Sequence, residues 1–327
     1  MQANGRTRDA FSEISRRLRR MRWGIAAAVG LSAGFGAVGQ SGLPGFGDEE
    51  APSGDELVNF EVVAEHSPFN PSEGTTLALV YDVAEDWHIY WRNNGDTGMP
   101  PQFSFELPAG VTMGEPAWPA PKRYSSGGGF IMDYVLDGKV VLLVPLEVRD
   151  EFVESMIEAG TGELTIRVET EWLVCKDVCL PGSASREILV PFAATDGVAR
   201  AETLFAGARE ALPIEPDEAS KGEVRAEFVD GVLRMEAPGA IELTFFPEES
   251  DAGVAPLEEK ADCMTRGAKL AVPYSAEASE AERIRGVLRV RYAEKSLGRG
   301  EEVAVRIDVP GPAAKADKED RKNRERR

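Results

Sequence analysis

From Leu57 to Phe192 the apolar residues come in short alternating or continuous runs, each closed within a few positions by Pro, Gly, Asn or Asp. Alternation at period two is the signature of a strand with one face buried. Turns this frequent leave no room for the crossover helices that a parallel sheet needs, so the strands must pair antiparallel. Predicted strands are Val58–His66, Thr76–Val83, Trp87–Arg92, Phe103–Leu107, Lys139–Val148, Glu163–Leu173 and Arg186–Phe192. Between them stand Asn70-Pro71, Asn93-Asn-Gly-Asp96, Pro100-Pro101, Pro108-Ala-Gly110 and Asp137-Gly138, all turn chemistry. The expectation is an all-β antiparallel sandwich over 57–193.

The pattern changes at Ala199–Leu212, where Ala, Leu, Phe and Glu recur at helical spacing until Pro213 and Pro216 close the run. A helical linker is expected over 194–220. Strand-like runs then resume at Glu223–Phe228, Val232–Ala237, Ile241–Phe246, Lys269–Pro273, Gly286–Tyr292 and Glu302–Val309, predicting a second, smaller β-rich domain over 221–311. The tail 312–327 holds seven Lys or Arg against four acids and nothing apolar larger than Ala and Pro, a composition that cannot bury a core and is read as disordered.

At the other end, Arg16, Arg17, Arg19, Arg20 and Arg22 precede an uncharged, Ala- and Gly-rich run from Trp23 to Gln40. A basic stretch, a short apolar stretch and small residues at Ala37 and Gly39 read as a secretory signal peptide over 1–39, with an uncleaved anchor as the alternative. A flexible lead-in, rich in Gly, Pro, Ser and acids, follows over 40–56. The expectation is an exported, periplasmic protein without stable membrane insertion after cleavage. The formal charge is −19, and removing a leader with seven Arg against Asp9 and Glu13 leaves about −24. So acidic a chain is a poor ligand for nucleic acid or anionic lipid.

Three cysteines occur in 327 residues, and two of them are Cys175 and Cys179, in Trp172-Leu-Val-Cys-Lys-Asp-Val-Cys-Leu-Pro-Gly182. A hairpin with a three-residue connection places its flanking residues opposite one another, at a Cα separation of about 5.5 Å, within disulfide reach. Four chemistries fit the spacing, counting zinc and Cu(I) together as one metal site. A structural staple closing so small a loop gives only about 2 kcal/mol. A zinc site needs two further ligands, for which His66, His88 and Cys263 are the non-carboxylate candidates. Cu(I) would draw on Met99, Met113 and Met132, and Cys–His hydrolysis on His88. The fourth is thiol–disulfide exchange, which needs one accessible thiolate and a neighbour to resolve the mixed disulfide. Lys176 favours a thiolate and Asp177 opposes it.

Three motifs resemble a known family: Asp86-Trp-His-Ile-Tyr-Trp-Arg-Asn-Asn-Gly-Asp-Thr-Gly-Met-Pro-Pro101, Trp118-Pro-Ala-Pro-Lys-Arg123 and the cysteine segment itself. Together they are similar to the amino-terminal periplasmic domain of DsbD-type, ScsB-like thiol:disulfide interchange proteins. Leu243-Thr-Phe-Phe-Pro247 is a weaker match to the same proteins. The resemblance implies an immunoglobulin-like sandwich and a redox pair in which Cys179 is the nucleophile and Cys175 the resolving thiol. It implies a thioredoxin-like redox protein or a membrane electron carrier as donor, oxidised periplasmic proteins as acceptors, and no cofactor or metal. It also implies a cap loop over the pair, for which Tyr124–Tyr134 is the candidate, with Phe130 or Tyr134 as lid and His88 and Trp172 as site wall. Larger members continue into membrane and thioredoxin domains that do not follow in this sequence, so a partner is expected to supply the electrons.

Trp87, Tyr90 and Trp91 are otherwise read as sandwich core, Asn93–Asp96 as a turn, His88 as a structural histidine, and Cys263 as a buried free thiol.

Overall fold

In a computed structural model, residues 52–195, 197–216, 224–248, 263–274, 281–293 and 302–311 are described, all within one compact unit. The expected signal peptide, most of the lead-in, the end of the linker at 217–220, the start of the second domain at 221–223 and the charged tail lie outside the described residues.

The first half contains β1 (Val58–Ala64), β2 (His66–Ser67), β3 (Thr75–Val83), β4 (His88–Gly95), β5 (Gln102–Glu106), β6 (Val111–Met113), β7 (Lys122–Ser126), β8 (Ile131–Asp137) and β9 (Lys139–Val148). Helix α1 (Asp150–Ala159), β10 (Thr161–Cys175), β11 (Cys179–Ala193), β12 (Val198–Ala199) and α2 (Glu202–Glu210) follow. Two antiparallel sheets face each other, one ordered β1-β3-β9-β6 and the other β11-β10-β4-β8-β7, with β5 also on β10. This is the expected immunoglobulin-like sandwich.

Parity along each strand explains both the alternating and the continuous apolar runs. Leu77, Leu79 and Tyr81 of β3, with Val140, Leu142 and Val144 of β9, point into the space between the sheets. The residues between them, Ala78, Val80, Val141 and Leu143, point outward and are covered by Phe205 and Ala208 of α2. Buried on both faces, β3 and β9 need apolar residues at consecutive positions. Arg209 Nη1 meets Glu65 Oε1 at 2.6 Å and fastens the helix, holding the Glu65 carboxyl below the usual carboxylate range. At the centre, Phe60, Tyr81 and Trp172 pack ring on ring, and the Tyr81 hydroxyl is 2.8 Å from Thr170 Oγ1. Thr170 in turn donates to the Gln102 carbonyl at 2.9 Å, so this buried polar pair is satisfied.

The second half holds β13 (Arg225–Val229), β14 (Val232–Glu236), β15 (Ala240–Pro247), β16 (Met264–Thr265), β17 (Lys269–Pro273), β18 (Arg283–Tyr292) and β19 (Glu302–Pro310). They form sheets β13-β14-β17 and β16-β15-β18-β19 around Phe228, Leu233, Phe245, Leu288 and Val305. The neighbours of two of these residues, Phe246 and Val287, face the other way and belong to the sandwich core. The Phe246 ring lies 5.2 Å from that of Tyr134 and 6.5 Å from that of Trp91.

Several local expectations change. Helix α1 interrupts the region read as purely β; its Phe152, Val153 and Met156 pack on the core at helical spacing, a periodicity too short to stand out among strands. Tyr124–Tyr134 is a hairpin of β7 and β8 around Gly127–Gly129 rather than a loop. Asn93-Asn-Gly95 is the bulged end of β4, with Gly95 at φ 80°, rather than a free turn. The linker helix is shorter, Glu202–Glu210.

Because Phe246 fills a shared space between the halves, Phe246→Ala is expected to lower stability by about 3–5 kcal/mol, the usual cost of such a cavity. Urea unfolding of the variant beside the natural protein measures it.

Candidate disulfide exchange site

β10 and β11 form a hairpin in continuous register from Thr161↔Ala193 to Cys175↔Cys179. The two cysteines are the last pair before the connection, where Lys176 N donates to the Val178 carbonyl at 3.2 Å. They are joined as a disulfide with a Cα separation of 4.2 Å. That is closer than the 5.5 Å expected from the sequence and nearer to the narrow class of antiparallel pair. The two ends of the bridge differ in access. Cys175 is 2% exposed, whereas Cys179 belongs to the exposed residues, beside Val178 at 59%.

Parity decides what surrounds the bridge. On β10, Trp172 and Val174 point into the sandwich, so Leu173 and Cys175 point outward. On β4, Ile89 and Trp91 point inward, so His88 and Tyr90 share the cysteine face. On β8, Tyr134 and Leu136 go in, while Asp133, Val135 and Asp137 go out. The register continues the cysteine rank directly, since Cys175 lies opposite His88 and His88 opposite Asp137. Tyr90, Val135 and Cys175 form a small buried cluster backed by Tyr124 and Leu173.

Among these residues Tyr90 touches both sulphurs. Its hydroxyl donates to Cys175 Sγ at 3.2 Å and lies 3.6 Å from Cys179 Sγ. Burial pushes the Tyr90 phenol pKa upward, so it remains a proton donor, while a hydrogen bond with Thr97 works the other way. The segment after β4 folds back over this ring. Gly98, at φ 78°, sits so close to it that a Cβ there would overlap the ring. Thr97 donates to buried Asp133 twice, from its amide to Oδ1 at 2.8 Å and from its hydroxyl to Oδ2 at 2.7 Å.

His88 is 5% exposed, with its ring 4.4 Å from Tyr124 and 5.7 Å from Tyr90. Burial holds its pKa below the ordinary imidazole value, with Asp133 and Asp137 opposing. Lys176 pairs with Asp86 at 3.1 Å on the surface, and Tyr124 donates to the Lys176 carbonyl at 3.5 Å.

Of the residues singled out in the sequence, the structure brings together Cys175, Cys179 and His88. Trp172 lies on the opposite face of β10, its Nε1 donating to the Gly54 carbonyl at 3.3 Å, and so supports the strand from within. Tyr134 is likewise buried on the core face of β8, against Phe246. Phe130 is 79% exposed at the β7–β8 tip. Trp91 is core as expected, but Tyr90 is not sandwich core. Tyr90, Tyr124, Thr97 and Asp133 were missed as site residues. The two-residue step from His88 to Tyr90 was the available signal, since it puts both on one face. No group of three or more His, Cys, Asp or Glu able to hold a metal ion occurs among the described residues, and no described helix is long and apolar enough to cross a membrane.

Two outcomes follow. Gly98→Ala must displace the segment from Tyr90, and is expected to lower the melting temperature of the oxidised protein in a calorimetric scan. For His88, a folded pKa below the unfolded value of about 6.5 means that the unfolded chain protonates first as pH falls. The contribution of the neutral ring is therefore complete above about pH 6.5 and is lost on acidification toward the lowered folded value. Urea midpoints from pH 7 to 5 should fall more steeply for the natural protein than for His88→Gln.

Residues 55–191 match the family model described as thiol:disulfide interchange protein DsbD, N-terminal. Among solved structures, the N-terminal periplasmic domain of ScsB from Proteus mirabilis is similar at 14% identity and TM-score 0.47, over 79% of this chain and 95% of that one. The Neisseria meningitidis DsbD N-terminal domain in the reduced form is similar at 14% identity and TM-score 0.25, over 40% and 89%. No curated protein sequence matches the chain significantly. The segment matched by the DsbD amino-terminal family model, residues 55–191, is thus the one that carries the disulfide at the end of the β10–β11 hairpin.

Proposed function

We propose that this protein relays reducing equivalents in the periplasm, taking them from a thioredoxin-like partner or a membrane electron carrier and passing them to oxidised exported proteins. The observation that carries this reading is the asymmetry of the bridge, with Cys179 exposed and Cys175 buried under the Tyr90 hydroxyl. Exchange proceeds by thiolate attack along the S–S axis on an accessible sulphur, and only one sulphur here is accessible.

On reduction, the partner's thiolate attacks Cys179 Sγ. The Cys175–Cys179 bond breaks, and its electron pair passes to Cys175 Sγ, which already accepts a hydrogen bond from Tyr90. A hydrogen bond to the charged form stabilises it, so Cys175 is the better leaving group. The partner's second thiolate then releases Cys179, leaving the dithiol here and a disulfide on the partner. Toward an oxidised substrate the roles reverse: Cys179 attacks, and Cys175 resolves the mixed disulfide. The arginine-rich, then Ala- and Gly-rich amino terminus, read as a leader, supports export to an oxidising compartment, where such a pair has work to do.

A staple is the competing use of a disulfide, but closing a loop this short gives only about 2 kcal/mol, and the sandwich has a full core without it. Titration against a thioredoxin redox buffer separates the two. The pair should reduce at a potential less negative than about −300 mV, whereas a bridge still closed at more reducing poise would overturn the relay. In the full chain, Cys175→Ser should trap a mixed disulfide through Cys179, and Cys179→Ser should trap none.

A further inference from the structure

The C-terminal β sheets have no part in the exchange just described, yet they reach the segment that covers Tyr90. Asn93, at the bulged end of β4, donates from Nδ2 to the carbonyl of Pro247, the last residue of β15, at 2.8 Å. The same side chain accepts from Gly95 N through Oδ1 at 3.0 Å, which shapes the bulge. Beside it, Arg92 pairs with Glu248 at 3.5 Å, and Phe246 packs on Trp91. From the bulge onward hydrogen bonds and one close packing contact lead toward the sulphurs. Asn94 Nδ2 donates to the Thr97 carbonyl at 2.8 Å, Thr97 is clamped to Asp133, and Gly98 lies on the Tyr90 ring. Tyr90 is the residue that touches both sulphurs.

We propose that the C-terminal half positions the exchange site, with Asn93 as the positioning residue that transmits the hold of the Pro247 carbonyl to the Tyr90 hydroxyl. This rests on the exchange chemistry above and gives the second half a role in it. Asn93 touches no reacting atom. It keeps the 93–99 segment seated, and the seated segment keeps the phenol aimed at Cys175 Sγ. Without the Pro247 contact the bulge loses its own hydrogen bond to β15, and the segment seated on the ring is held less tightly against the bridge.

The test uses Asn93→Asp in the full chain. The carboxylate is nearly isosteric and keeps the acceptor for Gly95 N, but it has no donor for Pro247. Two quantities are read: the thiolate titration of the reduced pair by ultraviolet absorbance, and the rate of reduction by a thioredoxin. The expected result is a thiolate that titrates at higher pH and a rate lowered roughly three- to tenfold, the size of one lost hydrogen bond. A cycle with Tyr90→Phe supplies the readout that a merely structural role would not move. If Asn93 acts through the phenol, Asn93→Asp has no further effect once Tyr90 is Phe. Unchanged titration and rate, or losses that add in the double variant, would overturn the proposal. Should Asn93→Asp not fold, Asn93→Ser removes the same donor and decides in its place. Failure of the natural protein to exchange at all would overturn the relay reading instead, and the thiolate titration would still decide the role of Asn93.

Discussion

Everything at the disulfide depends on the pairing of β10 with β11. A hairpin held in one register from end to end leaves no freedom in where its last pair falls, and the last pair is Cys175 with Cys179. The same register sets the faces. Trp172 and Val174 must go into the sandwich, so Cys175 must go out, onto a sheet face that it shares with His88 and Tyr90. A slip of one residue would carry the cysteine into the core and Trp172 into water, and the burial of a large aromatic ring opposes that strongly. The redox chemistry is thus positioned by hydrophobic burial on the opposite side of a single strand.

The two outer faces of the sandwich are used differently. One is sealed by α2, which lies over Ala78, Val80, Val141 and Leu143 with apolar side chains. The other carries polar groups that are buried but uncharged, the phenol of Tyr90 and the imidazole of His88, with the exposed Thr97 at its edge. Burial raises the phenol pKa and lowers that of the imidazole, so both groups sit beside the bridge uncharged. Asp133 is kept company by two donors from Thr97. A neutral donor aimed at a sulphur can stabilise a thiolate as it forms without attracting one permanently, which suits a pair that must spend time in both redox states.

Much of this was legible in the chain. Period-two runs and turn residues gave the sandwich, and the four-residue cysteine spacing gave the hairpin end. What the sequence could not decide was which parity class of β4 faces inward, because His88, Ile89, Tyr90 and Trp91 are all large and all become buried. Tyr90 therefore reads as core by its aromatic type, whereas Tyr134 and Trp172 are placed at the site by the family resemblance. The hairpin of β7 and β8 was hidden by three consecutive glycines, which read as a loop although they form only its tip. Asn93-Asn-Gly-Asp96 has ideal turn composition, and nothing local shows that its first side chain bonds to a carbonyl 154 positions away.

Adjacent residues on β15 serve opposite masters. Phe245 fills the core of the C-terminal sheets and Phe246 that of the sandwich, and β18 answers with Leu288 and Val287 in the same way. Neither core can be repacked by sliding β15, because any one-residue shift would exchange the two phenylalanines and leave both cores wrong together. The strand pair therefore acts as a molecular key: it lets the two halves of the chain assemble in only one relative arrangement, and it ties their unfolding into a single cooperative event.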